Sequence, residues 1–309
     1  MEPIRFQIPK RTSDNFGDPI NYVFEYIEQT NLSDSKEYIF DFDSCRFASP
    51  FLIGGLTSIA NANLENKGTN KWLYNKNDEY LAGYLNAIKF PEGIDFQNVK
   101  LNQLDKLFKP YYDKTYIPIV CFPTGLTLAE NKMRENVLTA VNTLLKNQLN
   151  LKGQLLTAIC YMIDELTQNV VDHSKSEKGI IFAQYYPSKN YMDLCIADYG
   201  NGLFQTYKDS DKHAPKNTEE AMNYAVFGKS TKNIPESRGF GISTSREMLV
   251  KGLKGKFFLM SDDTFYIQSQ DRQEVIVLPN KITYKGCYVA MRIPILDNEQ
   301  FQYHNFIEG

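Results

Sequence analysis

Three short clusters of polar residues and glycines in the second half of the chain have the types and spacing to do chemistry. In Asp164-Glu165-Leu166-Thr167-Gln168-Asn169, continuing to Asp172 and His173, the side chains Glu165, Asn169 and His173 recur every four residues. On a helix that period stacks them along one face. A carboxylate and an amide so placed suit Mg²⁺, which takes oxygen ligands and keeps several waters, and Glu165 could orient or deprotonate an attacking hydroxyl. A solvated polar helix face carries the same pattern. The second cluster, Asp198-Tyr199-Gly200-Asn201-Gly202, stands where an apolar run ends. Its carboxylate can accept from an exocyclic amine, and glycines permit positive φ and close approach of backbone to a flat base. The third, Ser237-Arg238-Gly239-Phe240-Gly241-Ile242-Ser243, directly precedes a helical pattern. Its amides would offer a phosphate site to which Arg238 adds a charge. The second and third clusters also read as ordinary glycine-rich turns.

The elements around these clusters follow from periodicity. Apolar residues Leu155, Ile159, Ile163, Leu166 and Val170 form one stripe of a helix over Leu155 to His173, opposite the Glu165 face. A longer helix is expected from about Leu128 to Leu149, preceded by a strand at Tyr116 to Phe122. Strands at Gly179 to Tyr186 and Met192 to Ala197 flank a turn at 187–190, which carries Asp198 to the end of a strand. The stretch Asp198 to Arg238, with one amphipathic segment at Thr218 to Phe227, is too long for an ordinary connector and reads as a lid. A helix from Ile242 to Gly252 follows. Then come strands at Lys256 to Ser261, Thr264 to Gln268, Glu274 to Leu278 and Cys287 to Ile293.

Residues 1–115 alternate strands (Ile4 to Ile8, Tyr38 to Phe42) with helices (Pro19 to Gln29, Pro50 to Leu64, Glu79 to Ile88), the rhythm of a small α/β layer fold. Gly93 to Tyr116 has weak periodicity and reads as a linker. The chain of 309 residues then divides into an α/β domain over 1–115, a second domain over 116–296 and a tail over 297–309.

Composition limits the function classes. Hydrophobic residues make up 42% and charged residues 23%, which is the chemistry of a folded chain rather than a disordered one. With a net charge of −3 there is no global positive field to gather phosphate backbones, so no nucleic-acid partner is expected. No apolar run reaches a membrane-spanning length and the N-terminus lacks an apolar leader core, so a cytoplasmic protein with no membrane partner is expected. The five cysteines, at 45, 121, 160, 195 and 287, are widely spaced without a Cys-x-x-Cys pair. Buried free thiols account for them.

Taken in order, the three clusters resemble the motifs of the gyrase, heat-shock chaperone, histidine-kinase and MutL ATP-binding superfamily. Glu165 to Asn169 looks like its N box, Asp198 to Gly202 its first glycine box and Gly239 to Gly241 its second. The resemblance covers about residues 116 to 296. It implies a two-layer α/β sandwich of histidine-kinase-like ATPase type, with a mixed, mostly antiparallel sheet and helices on one face. It implies ATP and Mg²⁺ as cofactors, Asp198 on the adenine amine, Asn169 on the metal and Glu165 as catalytic base. His173, Gly200, Gly202, Arg238, Gly239, Phe240, Gly241 and Ile242 would shape the pocket. Tyr207, Lys208, Lys229, Ser230, Thr231 and Lys232 lie in the presumed lid, and they equally suit a solvated loop. Cys287 stands where family members often carry Thr.

The tight Glu-x-x-x-Asn-x-x-x-His run looks most like anti-sigma-factor serine kinases. The histidines of this sequence, His173, His213 and His304, include none upstream of the proposed ATP domain, where a sensor kinase carries its phosphoacceptor. More faintly, the N-terminal segment resembles a STAS-type domain through Tyr38 to Phe42 and the following Ala48-Ser49-Pro50-Phe51. Ser49 is either a phosphoacceptor or a helix N-cap ahead of Pro50. The resemblance implies an ATP-binding regulatory protein that phosphorylates a protein partner or binds it in a nucleotide-dependent way. A non-catalytic nucleotide switch and an ATPase clamp that homodimerises remain alternatives.

Overall fold

The computed structural model describes residues 2–76, 79–96, 99–149, 153–210, 213–229, 241–295 and 301–307. The chain opens with β1 (Ile4–Gln7), α1 (Ile20–Asn31), β2 (Glu37–Phe42), α2 (Pro50–Glu65), β3 (Thr69–Tyr74) and α3 (Glu79–Ala87). The three strands form a parallel sheet in the order β1-β2-β3. Ser49 is the N-cap of α2: its hydroxyl accepts from Leu52 N, and Pro50 holds the first helical position, where no amide donor is needed. Ser49 is 4% exposed. Strand β3 was not expected from sequence. It is an edge strand whose Lys71 and Leu73 face outward, so it lacks a two-sided apolar pattern.

The remainder builds an eight-stranded sheet in the order β10-β9-β8-β11-β7-β6-β5-β4. Its elements are β4 (Ile94–Asp95), α4 (Leu104–Phe108), β5 (Tyr116–Pro123), α5 (Leu128–Leu149), α6 (Gly153–His173), β6 (Lys178–Tyr186), β7 (Tyr191–Ala197), α7 (Leu203–Lys208) and α8 (Thr218–Val226). They continue with α9 (Gly241–Glu247, extended by a π turn over Met248–Gly252), β8 (Lys256–Asp262), β9 (Thr264–Gln268), β10 (Gln273–Val277), β11 (Tyr284–Pro294) and α10 (His304–Ile307). All neighbours pair antiparallel except β4, which joins β5 in parallel. The stretch 93–116, expected as a linker, instead supplies β4, α4 and the buried side chains Phe96, Phe108 and Tyr111. Its burial is contributed by isolated aromatics rather than by a repeating stripe, which is why periodicity did not reveal it. The tail also packs, with Phe301 buried and Phe306 against Gly252.

The central strands are apolar on both faces. Ile181, Leu194, Ile196, Phe257, Leu259 and Val289 share a core with α5, α6 and α8. The alternate residues Ile180, Phe182, Cys195, Phe258, Tyr288 and Ala290 share a second core with α1, α2 and the small parallel sheet. Helices of the second half thus cover one face of the large mixed sheet, while the N-terminal layer covers the other. Helix α2 lies nearly all buried between the two sheets. Its first turn is held by Tyr288 Oη, which donates to Phe51 O at 2.5 Å, and by Cys195 Sγ at 3.5 Å from Pro50 O. A second tie is at Asp14, which meets Lys189 and accepts from Tyr191 Oη at 2.9 Å, while its carbonyl accepts from Arg292 Nη1 at 2.8 Å. Arg292 also pairs in bidentate fashion with buried Asp193 across β11 and β7, at 2.7 and 2.8 Å.

The layers pack tightly where the first turns of α2 cross β7 and β11. A Cβ on Gly54 would lie 2.9 Å from Cys195 Cβ and 3.0 Å from Tyr288 Oη. Gly54→Val is expected to destabilise the protein by about 1–3 kcal/mol through overpacking. Probes in the N-terminal layer and in the large sheet should then melt together in thermal unfolding. Separate transitions would show that the layers are independent.

Candidate functional site

The three clusters read from sequence are carried by different elements, and part of each lies on one cleft, whose lining does not include Glu165, Gly200 or Gly202. Helix α6 brings Asn169 and His173, the end of β7 brings Asp198, the first turn of α9 brings Gly241 and Ile242, and β11 brings Cys287. The cleft has an empty volume of about 790 Å³, open mouth included, and Lys229 lies on its wall. Apolar residues from β7, β8 and β11, namely Ile196, Leu259 and Val289, line it together with Leu166, Leu203 and Tyr207. Ser230, Thr231, Lys232, Arg238, Gly239 and Phe240 lie outside the described residues.

Asp198 is 1% exposed. Its Oδ1 accepts from Gly200 N at 3.0 Å and its Oδ2 from Cys287 N at 3.3 Å. A carboxylate oxygen has two lone pairs, so each keeps one for a ligand donor. Burial pushes the Asp198 pKa up to about 7, against the pull of the two amides. The Cys287 thiol is raised well above its ordinary range by burial first and by the nearby Asp198 carboxyl second, so it stays protonated.

The glycines serve a purpose other than the positive φ expected of them. Gly200, Gly202 and Gly241 all keep ordinary φ. A Cβ on Gly200 would collide with the Ser174 carbonyl, and one on Gly202 with the Asp262 carboxylate. A Cβ on Gly241 would stand 2.6 Å from Glu165 Oε2 and 3.0 Å from Asn169 Nδ2. The bare α-carbon lets α9 press against the polar face of α6. Gly286 is the glycine that needs its freedom: its φ is +91°, and a Cβ there would sit 2.5 Å from Asp198 Oδ1.

Glu165, Asn169 and His173 are half-buried along α6, as their spacing requires. Asn169 Nδ2 is buried with no hydrogen-bond partner among the described residues. An unsatisfied buried amide is costly unless a ligand or water completes it. Among the described residues no three His, Cys, Asp or Glu side chains gather to hold a metal. A divalent cation in this cleft would therefore depend on the Asn169 amide together with ligand oxygens and water. In the expected lid, Lys229 places its amine 3.8 Å from the centre of the Tyr224 ring, and its carbonyl accepts from Tyr207 Oη at 2.7 Å. Helix α7, which sequence reading left as loop, is fixed to the sheet by Ser261 Oγ and Asp262 Oδ2, which accept from Leu203 N and Phe204 N at 2.9 and 3.1 Å. Lys208, on that helix, lies over the Phe204 ring and outside the cleft lining.

Sequence reading passed over the apolar wall and Tyr284, whose hydroxyl donates to Asp198 O at 2.9 Å. Alternation in β7, β8 and β11 does mark the wall residues as one sheet face, but nothing local distinguishes a cleft wall from core. Neither protein-family models nor curated protein sequences give a match to the chain. Among the described residues no helix is long and apolar enough to cross a membrane.

The raised pKa has a definite consequence for stability. Above about pH 7 the folded state holds a charge that water would solvate better, so Asp198 opposes folding there. As pH falls from about 7 toward 4, the folded carboxyl takes up a proton that the unfolded one does not, and stability rises. Between pH 8 and pH 5 the difference in unfolding free energy between wild type and Asp198→Asn should move in favour of wild type by about 2–4 kcal/mol. A difference independent of pH would mean that the carboxyl keeps its ordinary pKa.

Proposed function

We propose that the cleft binds ATP with Mg²⁺ and that the chain is an ATP-binding regulatory protein. In this reading the second half is a histidine-kinase-like ATPase domain, closest to anti-sigma-factor serine kinases, and the N-terminal layer is STAS-like. One observation carries it: a buried carboxylate, an unsatisfied amide and a glycine helix start, far apart in sequence, share one apolar-walled cleft. The donor set fits the ligand. A flat base suits the wall of Ile196, Leu259 and Val289, and its exocyclic amine suits the free lone pairs of Asp198.

Each residue then has a stated task. Asp198 accepts from the base amine, Asn169 offers Oδ1 to the metal while its unpartnered Nδ2 donates to a ligand oxygen, and Gly241 keeps the first turn of α9 close to Asn169. Glu165, beside Gly241, is the group to accept a proton from an attacking hydroxyl. Bound ATP supplies a γ-phosphoryl group for in-line transfer to that hydroxyl. Ser49 is engaged as the N-cap of α2 beneath the sheet, which favours an acceptor hydroxyl on a protein partner. The net charge of −3 favours a protein partner over nucleic acid.

Isothermal titration with a non-hydrolysable ATP analogue and Mg²⁺ should show binding by wild type and at least tenfold weaker binding by Asp198→Asn, the scale of a lost charged hydrogen bond of about 1.5–3 kcal/mol. Glu165→Gln should keep nucleotide affinity and lose at least about a hundredfold in phosphate release or transfer, the usual share of a general base. Equal turnover in that variant would remove Glu165 from the mechanism. Binding by wild type with no turnover would favour a nucleotide-gated switch.

A further inference from the structure

A buried chain of hydroxyl groups joins the N-terminal layer to the floor of the cleft. Tyr284 Oη donates to Asp198 O at 2.9 Å and is also hydrogen-bonded to Ser58 Oγ on α2. A tyrosine has a single hydroxyl hydrogen, and here it is engaged with Asp198, so Ser58 must be the donor to Tyr284. The chain therefore runs in one direction, from Ser58 through Tyr284 to Asp198. Its members are 0%, 5% and 1% exposed.

The segment carrying Tyr284 is held at both ends. Toward the cleft, Cys287 N donates to Asp198 Oδ2 and Cys287 O accepts from Asp198 N at 2.9 Å. Toward the N-terminal layer, Asn31 Nδ2 at the end of α1 donates to Lys281 O and Thr283 O at 3.1 and 3.0 Å, and Lys281 pairs with Glu28 at 2.5 Å. A shift of α1 and α2 against the large sheet would either move Asp198 or leave buried hydroxyl and carbonyl groups unpaired, and the second is costly. Ser58 and Tyr284 also line a separate cleft between α1, α2 and the start of β11, with Asn31, Tyr38 and Tyr199.

We propose that Ser58 and Tyr284 are positioning residues for nucleotide recognition, coupling the packing of the N-terminal layer to the placement of Asp198. This rests on the nucleotide reading of the first cleft. Coupling is reciprocal, so nucleotide in the first cleft should in turn tighten the packing of α2.

The test measures affinity for a non-hydrolysable ATP analogue with Mg²⁺, and amide hydrogen exchange at residues 198–202 in nucleotide-free protein. It compares wild type with Ser58→Ala, Tyr284→Phe, the double variant and Thr57→Val. Thr57 is the control, since its buried hydroxyl has no hydrogen-bond partner among the described residues. Tyr284→Phe should weaken binding about tenfold and Ser58→Ala about threefold, the scale of one hydrogen bond. The double variant should be no worse than Tyr284→Phe alone, because one chain is broken in both. Exchange at 198–202 should quicken in these variants and not in Thr57→Val. Wild-type affinity and exchange in Ser58→Ala overturn the proposal, and that comparison suffices should Tyr284→Phe fail to fold. If wild type binds no nucleotide, the nucleotide reading itself falls, and the positioning role with it.

Discussion

The two-sided apolarity of the central strands is the constraint on which the rest of the protein depends. A strand such as β7, with Leu194 and Ile196 on one side and Cys195 and Ala197 on the other, cannot leave either face to water. The helices of the second half cover one face. Among the described residues the other face is covered by the first third of the chain, chiefly by α2, which is nearly all buried. The N-terminal layer is therefore structural to the large sheet rather than an appendage on a linker. Gly54 and Gly55 let the helix approach closely, with Gly54 against Cys195 and Tyr288 and Gly55 against Val23.

That packing has consequences at the cleft. The same strand, β11, meets α2 through Tyr288 and Asp198 through Tyr284, Gly286 and Cys287. Asp198 is held by backbone amides on one side and by a side-chain hydroxyl from β11 on the other. Its burial raises its pKa. A group with that environment is poised to respond to a ligand donor, because the ligand would supply polar partners that the surrounding side chains do not.

The polar face of α6 and the glycine start of α9 illustrate a different economy. Close approach of two helices normally needs small residues where they touch, and Gly241 provides it against Glu165 and Asn169. The result is a half-buried amide whose Nδ2 is satisfied by nothing among the described residues. Such a group sits where a ligand would be expected rather than where packing alone would place it. Ser49 shows the opposite outcome: a serine that sequence allowed as a phosphoacceptor is consumed by capping a helix that the sheet then buries.

The sequence by itself determined most of the longer elements, though not β3, β4, α4 or α7, and the stacking of Glu165, Asn169 and His173, because a four-residue spacing on an amphipathic helix admits one arrangement. It also placed Asp198 at a strand end, since alternation stops there and glycines follow. Boundaries for α1, α2, α6 and α8 agree with periodicity to within a few residues. What only tertiary structure decided were contacts between distant segments. The stretch 93–116 looked unpatterned because β4 gains its order from β5 and its aromatics from a core made elsewhere. Gly200 and Gly241 could be known as glycines from sequence, but the reason for them is the position of Ser174 and of Glu165 in space. Tyr284 carried no local signal at all, since a hydroxyl becomes informative only when folding brings Ser58 and Asp198 to either side of it.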